Sequence, residues 1–200
     1  MQRLPGHVLG LCLAVLAVSV PVAAQTTPRT EISGGYQFVT FSVDEESESL
    51  PKGWYFDVAG NLTPMLGIVF QVGGNYKTFE ESVTVGGGTF TAAADLKVHE
   101  FLGGVRLNAR NNPRLVPYGQ FLVGGINGSV EVTATSTIPG VPAFSEEDSS
   151  TNFALVLGGG VHFGVAESVG IRFGVNYLRI FEEDAGSNVF GFQVGVVIGR

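Results

Sequence analysis

From Glu31 onward, apolar and polar positions alternate with a period of two, the spacing that places successive side chains on opposite faces of a β-strand. Eight such stretches are predicted, at roughly 31–41, 53–62, 66–77, 97–108, 115–126, 152–164, 169–180 and 189–199. Each is about ten residues or slightly more, the length of a tilted strand that crosses a bilayer. No long stripe at the helical period competes with this pattern, and Gly interrupts every stretch. The expectation is an all-β chain.

One parity of each stretch is apolar. It carries Trp54, Phe56 and Val58 in the second stretch, Ile68, Phe70 and Val72 in the third, and Phe190, Phe192, Val194 and Val196 in the last. The opposite parity carries amides (Gln37, Asn61, Gln71, Asn75, Asn108, Gln120, Asn176, Gln193) and charges: Asp57, Glu100, Arg106, Arg172, with His162. A cation facing lipid at mid-membrane costs about 2–4 kcal/mol, so charge confined to one parity suits a barrel with a polar interior. His99 and Arg179 break the rule only at the loop ends of their strands, where a long side chain reaches water, and Lys77 lies at such an end too.

The connections alternate long and short. The long ones are 42–52, 78–96, 127–151 and 181–188; the short ones are 63–65, 109–114 and 165–168. Outer-membrane barrels have long loops outside the cell and short periplasmic turns. Charge follows the same division, since the long connections hold 14 of the 18 acidic residues. The third, 127–151, is expected to be long and irregular, and such loops are often functional.

Composition narrows the class further. The 200 residues include 29 Gly, only 14% are charged, and the net charge is −7. Disorder does not fit so apolar a chain, and nucleic-acid binding does not fit its acidity. At the N-terminus, Arg3, an apolar run over Val8–Val20, Pro21 and the small residues Val22-Ala23-Ala24 form the layout of a cleaved signal peptide. The expected organisation is a signal peptide at 1–24, a short segment at 25–30 and a barrel domain at 31–200. The single cysteine, Cys12, would leave with the signal peptide, which excludes disulfide chemistry. No later stretch reaches about 18 consecutive apolar residues, so no spanning helix is expected.

The hairpin Gly53-Trp54-Tyr55-Phe56-Asp57-Val58-Ala59-Gly60-Asn61-Leu62 to Gly67-Ile68-Val69-Phe70-Gln71-Val72-Gly73-Gly74-Asn75-Tyr76 resembles the second hairpin of the small eight-stranded outer-membrane barrels of the OmpA, OmpX and Opa types. Tyr118–Gly125 is similar to the fifth strand of that family, and Gly170–Tyr177 to its seventh. The resemblance implies an eight-stranded antiparallel up-and-down transmembrane β-barrel in the bacterial outer membrane. It also implies the partners of such a protein: outer-membrane lipids and lipopolysaccharide, and the barrel-insertion machinery during assembly. Barrels of this family usually end in an aromatic residue, whereas this chain ends Val197-Ile198-Gly199-Arg200.

Candidate chemistry is sparse. His99-Glu100 lacks the second His of a zinc-binding helix motif, so no metal or other cofactor is expected. Gly160-Val161-His162-Phe163-Gly164 has no nearby serine, and no Gly-x-Ser-x-Gly elbow occurs, so no catalytic residue is assigned. Gly86-Gly87-Gly88 reads as a turn capping a hairpin of Ser82–Val85 with Thr89–Ala92. The candidate sites are therefore a lumen polar network of Asp57, Glu100, Arg106, His162 and Arg172, and interfacial aromatics Trp54, Tyr76 and Tyr177. The leading reading is a monomeric structural or surface-interaction barrel with acidic extracellular loops. Its alternatives are a narrow channel gated by the lumen charges, an adhesin acting through Val132–Ser149, and a soluble lipocalin-like binder. The last rests on Lys52-Gly53-Trp54-Tyr55 and needs the apolar parity inside.

Overall fold

The structure, a computed structural model, describes residues 28–43, 46–85, 88–112, 114–137, 142–181 and 186–199. The expected signal peptide, the turn at Gly86-Gly87 and the terminal Arg200 lie outside the described residues. Nine strands follow one another among the described residues: β1 (Thr30–Val43), β2 (Glu46–Leu50), β3 (Lys52–Asn61), β4 (Leu66–Val85), β5 (Gly88–Asn108), β6 (Leu115–Ser136), β7 (Phe144–Ala166), β8 (Val169–Phe181) and β9 (Gly186–Gly199).

All pairings are antiparallel between neighbours, and β9 returns to β1, from Glu31 opposite Gly199 to Phe41 opposite Val189. β2 and β3 form one stave. β1 pairs with β3 up to Tyr36 opposite Trp54 and with β2 from Val39 opposite Leu50. Two residues on β1 therefore face three, Pro51–Gly53, on the other strand. This is a β-bulge, where Pro51, having no N–H to give, does least damage to the ladder. Counted this way the sheet is a closed barrel of eight staves.

The expected faces are where the alternation put them. Asp57, Arg106, Arg172, Gln71 and Asn176 are buried, while Phe70, Phe101, Leu157, Phe173 and Phe192 are exposed on the outside. A soluble lipocalin-like barrel requires the reverse, so that alternative is set aside. The short turns are set locally. Thr63 Oγ1 accepts hydrogen bonds from the backbone N–H groups of Met65 and Leu66, at 3.2 and 3.0 Å.

The long connections depart from expectation. Residues 78–85 and 88–96 continue β4 and β5, which pair without interruption to Val85 opposite Gly88. This includes the expected hairpin of Ser82–Val85 with Thr89–Ala92. The third connection is also strand, with β6 and β7 paired to Ala134 opposite Phe144, and its irregular form is corrected accordingly. Within 42–52, residues Glu46–Leu50 are strand rather than loop. The physical cause is neighbour pairing: once four adjacent strands leave the barrel in register, continuing the ladder satisfies backbone groups that a loop would leave to water.

Glycine at interior positions lets the staves close. A Cβ on Gly160 would land on the backbone carbonyl of Phe173, whereas one on Gly60 meets nothing within 4 Å. Gly160→Val is expected to abolish, and Gly60→Val to preserve, the faster migration of unboiled protein on a detergent gel, the signature of a closed barrel.

Candidate functional site

Two features stand out, one inside the barrel and one beyond it. Inside, Asp57 on β3 is the meeting point. Its Oδ1 lies 3.2 Å from Arg106 Nη1, and its Oδ2 is ion-paired with Arg172 Nη1 and accepts a 2.6 Å bond from Ser33. Arg106 also donates through Nε and Nη2 to Gln120 Oε1, at 3.0 and 2.8 Å. Gln120 in turn donates to Asn176 at 3.0 Å. Arg172 Nε donates to His162 Nε2 at 2.9 Å, so His162 serves as an acceptor. The Tyr118 ring lies against both guanidinium groups, 5.1 Å from that of Arg106 and 5.3 Å from that of Arg172.

Four of the five residues singled out for the lumen are thus brought together: Asp57, Arg106, His162 and Arg172. Glu100 stands apart. Its Oε1 accepts from Gln71 Nε2 at 2.9 Å and Gln37 Nε2 at 3.3 Å. Gln37 further donates to Asn75 and accepts from Gln193. The charges therefore do not pair two by two; both arginines converge on one carboxylate, and the other is held by amides. Sequence reading passed over Ser33 and Tyr118 as members of this network, although both share the interior parity of their strands. It also missed Arg110, which pairs with the buried Glu31 near the short-turn end.

Loop-ward of these polar residues the interior becomes apolar. Val39 and Phe41 follow Gln37 on β1, Ile126 follows Gln120 on β6, and Leu178 follows Asn176 on β8, all in one cluster with Ala154, Val156 and Val189. The aromatic positions lie near the same level. Trp54 Nε1 donates to Tyr76 Oη at 3.2 Å, and Tyr76 Oη contacts His99 Nε2 at 3.1 Å. Tyr177 donates to Asn188 at 2.8 Å.

Beyond the barrel, β4–β7 have 20, 21, 22 and 23 residues, against 13 and 14 for β8 and β9. A crossing needs only about 9–11. The surplus forms a four-stranded sheet whose inner face continues the lumen wall. Here the apolar parity switches. On β4 it runs through Ile68, Phe70 and Val72 outward, then through Phe79 and Val83 inward. On β5 it passes from Val105 and Phe101 outward to Leu96 and Phe90 inward, and on β6 from Phe121 and Val123 outward to Val130 and Val132 inward. No register shift accompanies the switch. Such a switch suits an outer face that passes from lipid to water.

The outer face of this sheet is polar. Thr78 donates to Asp95 at 2.5 Å, Ser82 and Thr91 lie 3.0 Å apart, and Lys97 pairs with Glu131 at 3.1 Å.

A family model for the outer membrane protein β-barrel domain matches residues 10–198. The chain belongs to that family. Solved structures agree on the fold. The Yersinia pestis attachment invasion locus protein, Ail, superimposes with a TM-score of 0.59 at 21% identity, covering 86% of this chain and 99% of that one. Ail in complex with the heparin analogue sucrose octasulfate gives 0.57 at 20% identity, over 84% and 96%. Neisserial surface protein A gives 0.54 at 12% identity, over 86% and 96%. No curated protein sequence matches the chain. The protein is accordingly a small eight-stranded barrel of the bacterial outer membrane.

For this outer-membrane barrel the lumen geometry separates the roles of the Asp57 and Glu100 carboxylates. Asp57→Ala leaves two buried guanidinium groups without their shared partner and is expected to cost about 3–5 kcal/mol. Glu100→Gln keeps an acceptor for Gln71 and Gln37 while removing a buried charge, and is expected to change stability by no more than about 1 kcal/mol. Urea unfolding of the lipid-inserted protein measures both.

Proposed function

We propose that the protein is a surface-interaction barrel: the staves hold it in the outer membrane, and the extension of β4–β7 is the element that meets other molecules. The observation that carries this reading is the strand surplus, since these four strands run far past what a bilayer requires while β8 and β9 stop near its edge. An ordered sheet presented to the medium is a better binding platform than a mobile loop, because less entropy is lost when a partner docks.

On this reading Asp57, Glu100, Arg106, His162 and Arg172 brace the lumen rather than gate it. Their bonds to one another and to amides fill an interior of about the width of side chains, with the apolar cluster beyond them. Trp54, Tyr76 and Tyr177 anchor the barrel at the interface, with outer-membrane lipids and lipopolysaccharide as its surroundings. The insertion machinery is its partner during assembly, the mature barrel is a monomer, and no residue is assigned to catalysis.

Ail was crystallised with a heparin analogue. A polyanion suits this chain poorly, because residues 77–97 and 128–152 hold seven acidic residues against Lys77 and Lys97.

Two measurements test the proposal. Replacing 79–94 and 132–149 by short turns is expected to abolish adhesion of expressing cells to a responsive surface while leaving the heat-shifted band intact; unchanged adhesion rejects it. Arg106→Ala is expected to leave planar-bilayer conductance at baseline; new or altered channel events favour the gated-channel alternative.

A further inference from the structure

The inner face of the β4–β7 extension is apolar and bordered by carboxylates, exposed at Phe79, Val83, Val130, Val132 and Phe144 and covered at Ala134. We infer that it binds a cationic amphipathic helix of a partner polypeptide, an inference that rests on the surface-interaction reading and names the partner chemistry it would serve.

The register defines the surface. One cross-strand row runs Phe79, Ala94, Val132, Glu146, and the next runs Glu81, Ala92, Ala134, Phe144. Small residues thus occupy the middle of the sheet, with larger apolar side chains on either side and a carboxylate at one end of each row. Phe79 is 43% exposed, Val83 58% and Phe144 51%. Contiguous apolar surface of this kind on an ordered sheet marks an interaction site. Four strands spaced about 4.8 Å apart make a trough roughly as wide as a helix, whose diameter is about 10–12 Å.

Charge selects the occupant. Glu81 at the β4 edge and Glu146 and Asp148 at the β7 edge share the inner face, and none of the three has an ion pair or hydrogen bond among the described residues. Lys77, on the same face nearest the barrel, lies with its amine 4.4 Å from the Phe79 ring centroid. A helix with an apolar stripe flanked by Lys or Arg would fill the trough and meet carboxylates on both sides. A second copy of this sheet, laid face to face, would set carboxylates against carboxylates. A phosphate-bearing lipid meets the same repulsion.

The test uses the full-length barrel in phosphatidylcholine nanodiscs, with empty nanodiscs as baseline. The probe is a labelled 18-residue helix of Leu and Lys at helical spacing. Saturable binding above baseline is expected. It should weaken at least tenfold in Phe79→Ser/Val132→Ser and in Glu81→Gln/Glu146→Gln/Asp148→Asn, and stay unchanged in the outer-face variant Glu80→Gln/Glu147→Gln. The heat-shifted gel band confirms that each variant is folded. Equal binding by all variants overturns the inference. So does equally tight binding of a Lys-Ser peptide, which would make it bulk electrostatics, or of a Leu-Glu helix, which would make it unselective hydrophobicity. Self-association of the barrel that depends on Phe79 and Val132 overturns it in favour of a second copy. If hairpin truncation abolishes cell adhesion while the peptide fails to bind, this inference falls and the surface-interaction reading stands.

Discussion

Everything in this molecule depends on the closure of its backbone hydrogen bonds. In the hydrocarbon core there is no water to satisfy an unpaired N–H or C=O, so a sheet survives there only when its last strand pairs with its first. The eleven consecutive residue pairs between β1 and β9 supply that closure. Because every neighbouring pair is antiparallel, the same closure requires an even number of staves. The bulge at Pro51 shows the tolerance it leaves: one extra residue is accommodated near the loop side, and pairing resumes one step out of phase.

Closure with eight staves makes the interior narrow, and narrowness decides what the interior charges do. Asp57, Arg106 and Arg172 come from three different strands and meet because the lumen has no room to keep them apart. A buried charge is costly unless it finds partners, and the shared carboxylate, Ser33, Gln120 and His162 supply them for both guanidinium groups except at Arg172 Nη2, which has none among the described residues. Glu100, surrounded by amides, reaches the same end without a cation. Toward the long hairpins the interior of β1, β6 and β8 turns apolar, while Ala59 and Val69 carry the same cluster to the short-turn side of Asp57 and Gln71.

Above the barrel the backbone ladder persists although the lipid that demanded it is gone. What changes is the solvent on the outer face. Inside the membrane the outer face must be apolar; outside, β4, β5 and β6 turn their larger apolar residues to the inner face without changing register. The outer face becomes Thr, Ser and charge, and the apolar residues turn to the inner face. The extension is therefore amphipathic in the opposite sense to the barrel it grows from.

Strand identity and facing were legible in the sequence because a period of two needs no knowledge of partners: a single strand half in lipid must alternate. Trp54, Phe70 and Phe192 faced outward and Asp57, Arg106 and Arg172 inward for that reason alone. The extension was not recognised, because residues 78–96 and 127–151 carry charge on both faces and the apolar parity switches at their base. Together these dilute the alternation into something that reads as loop. Nor could parity say which interior charges meet, since Asp57 and Arg172 are 115 residues apart in the chain. Contact between them is set by strand order, tilt and barrel width. Alternation is a local property of one strand, fixed by the solvent on its two faces, whereas pairing is a property of the closed sheet and appears only when all eight staves are in place.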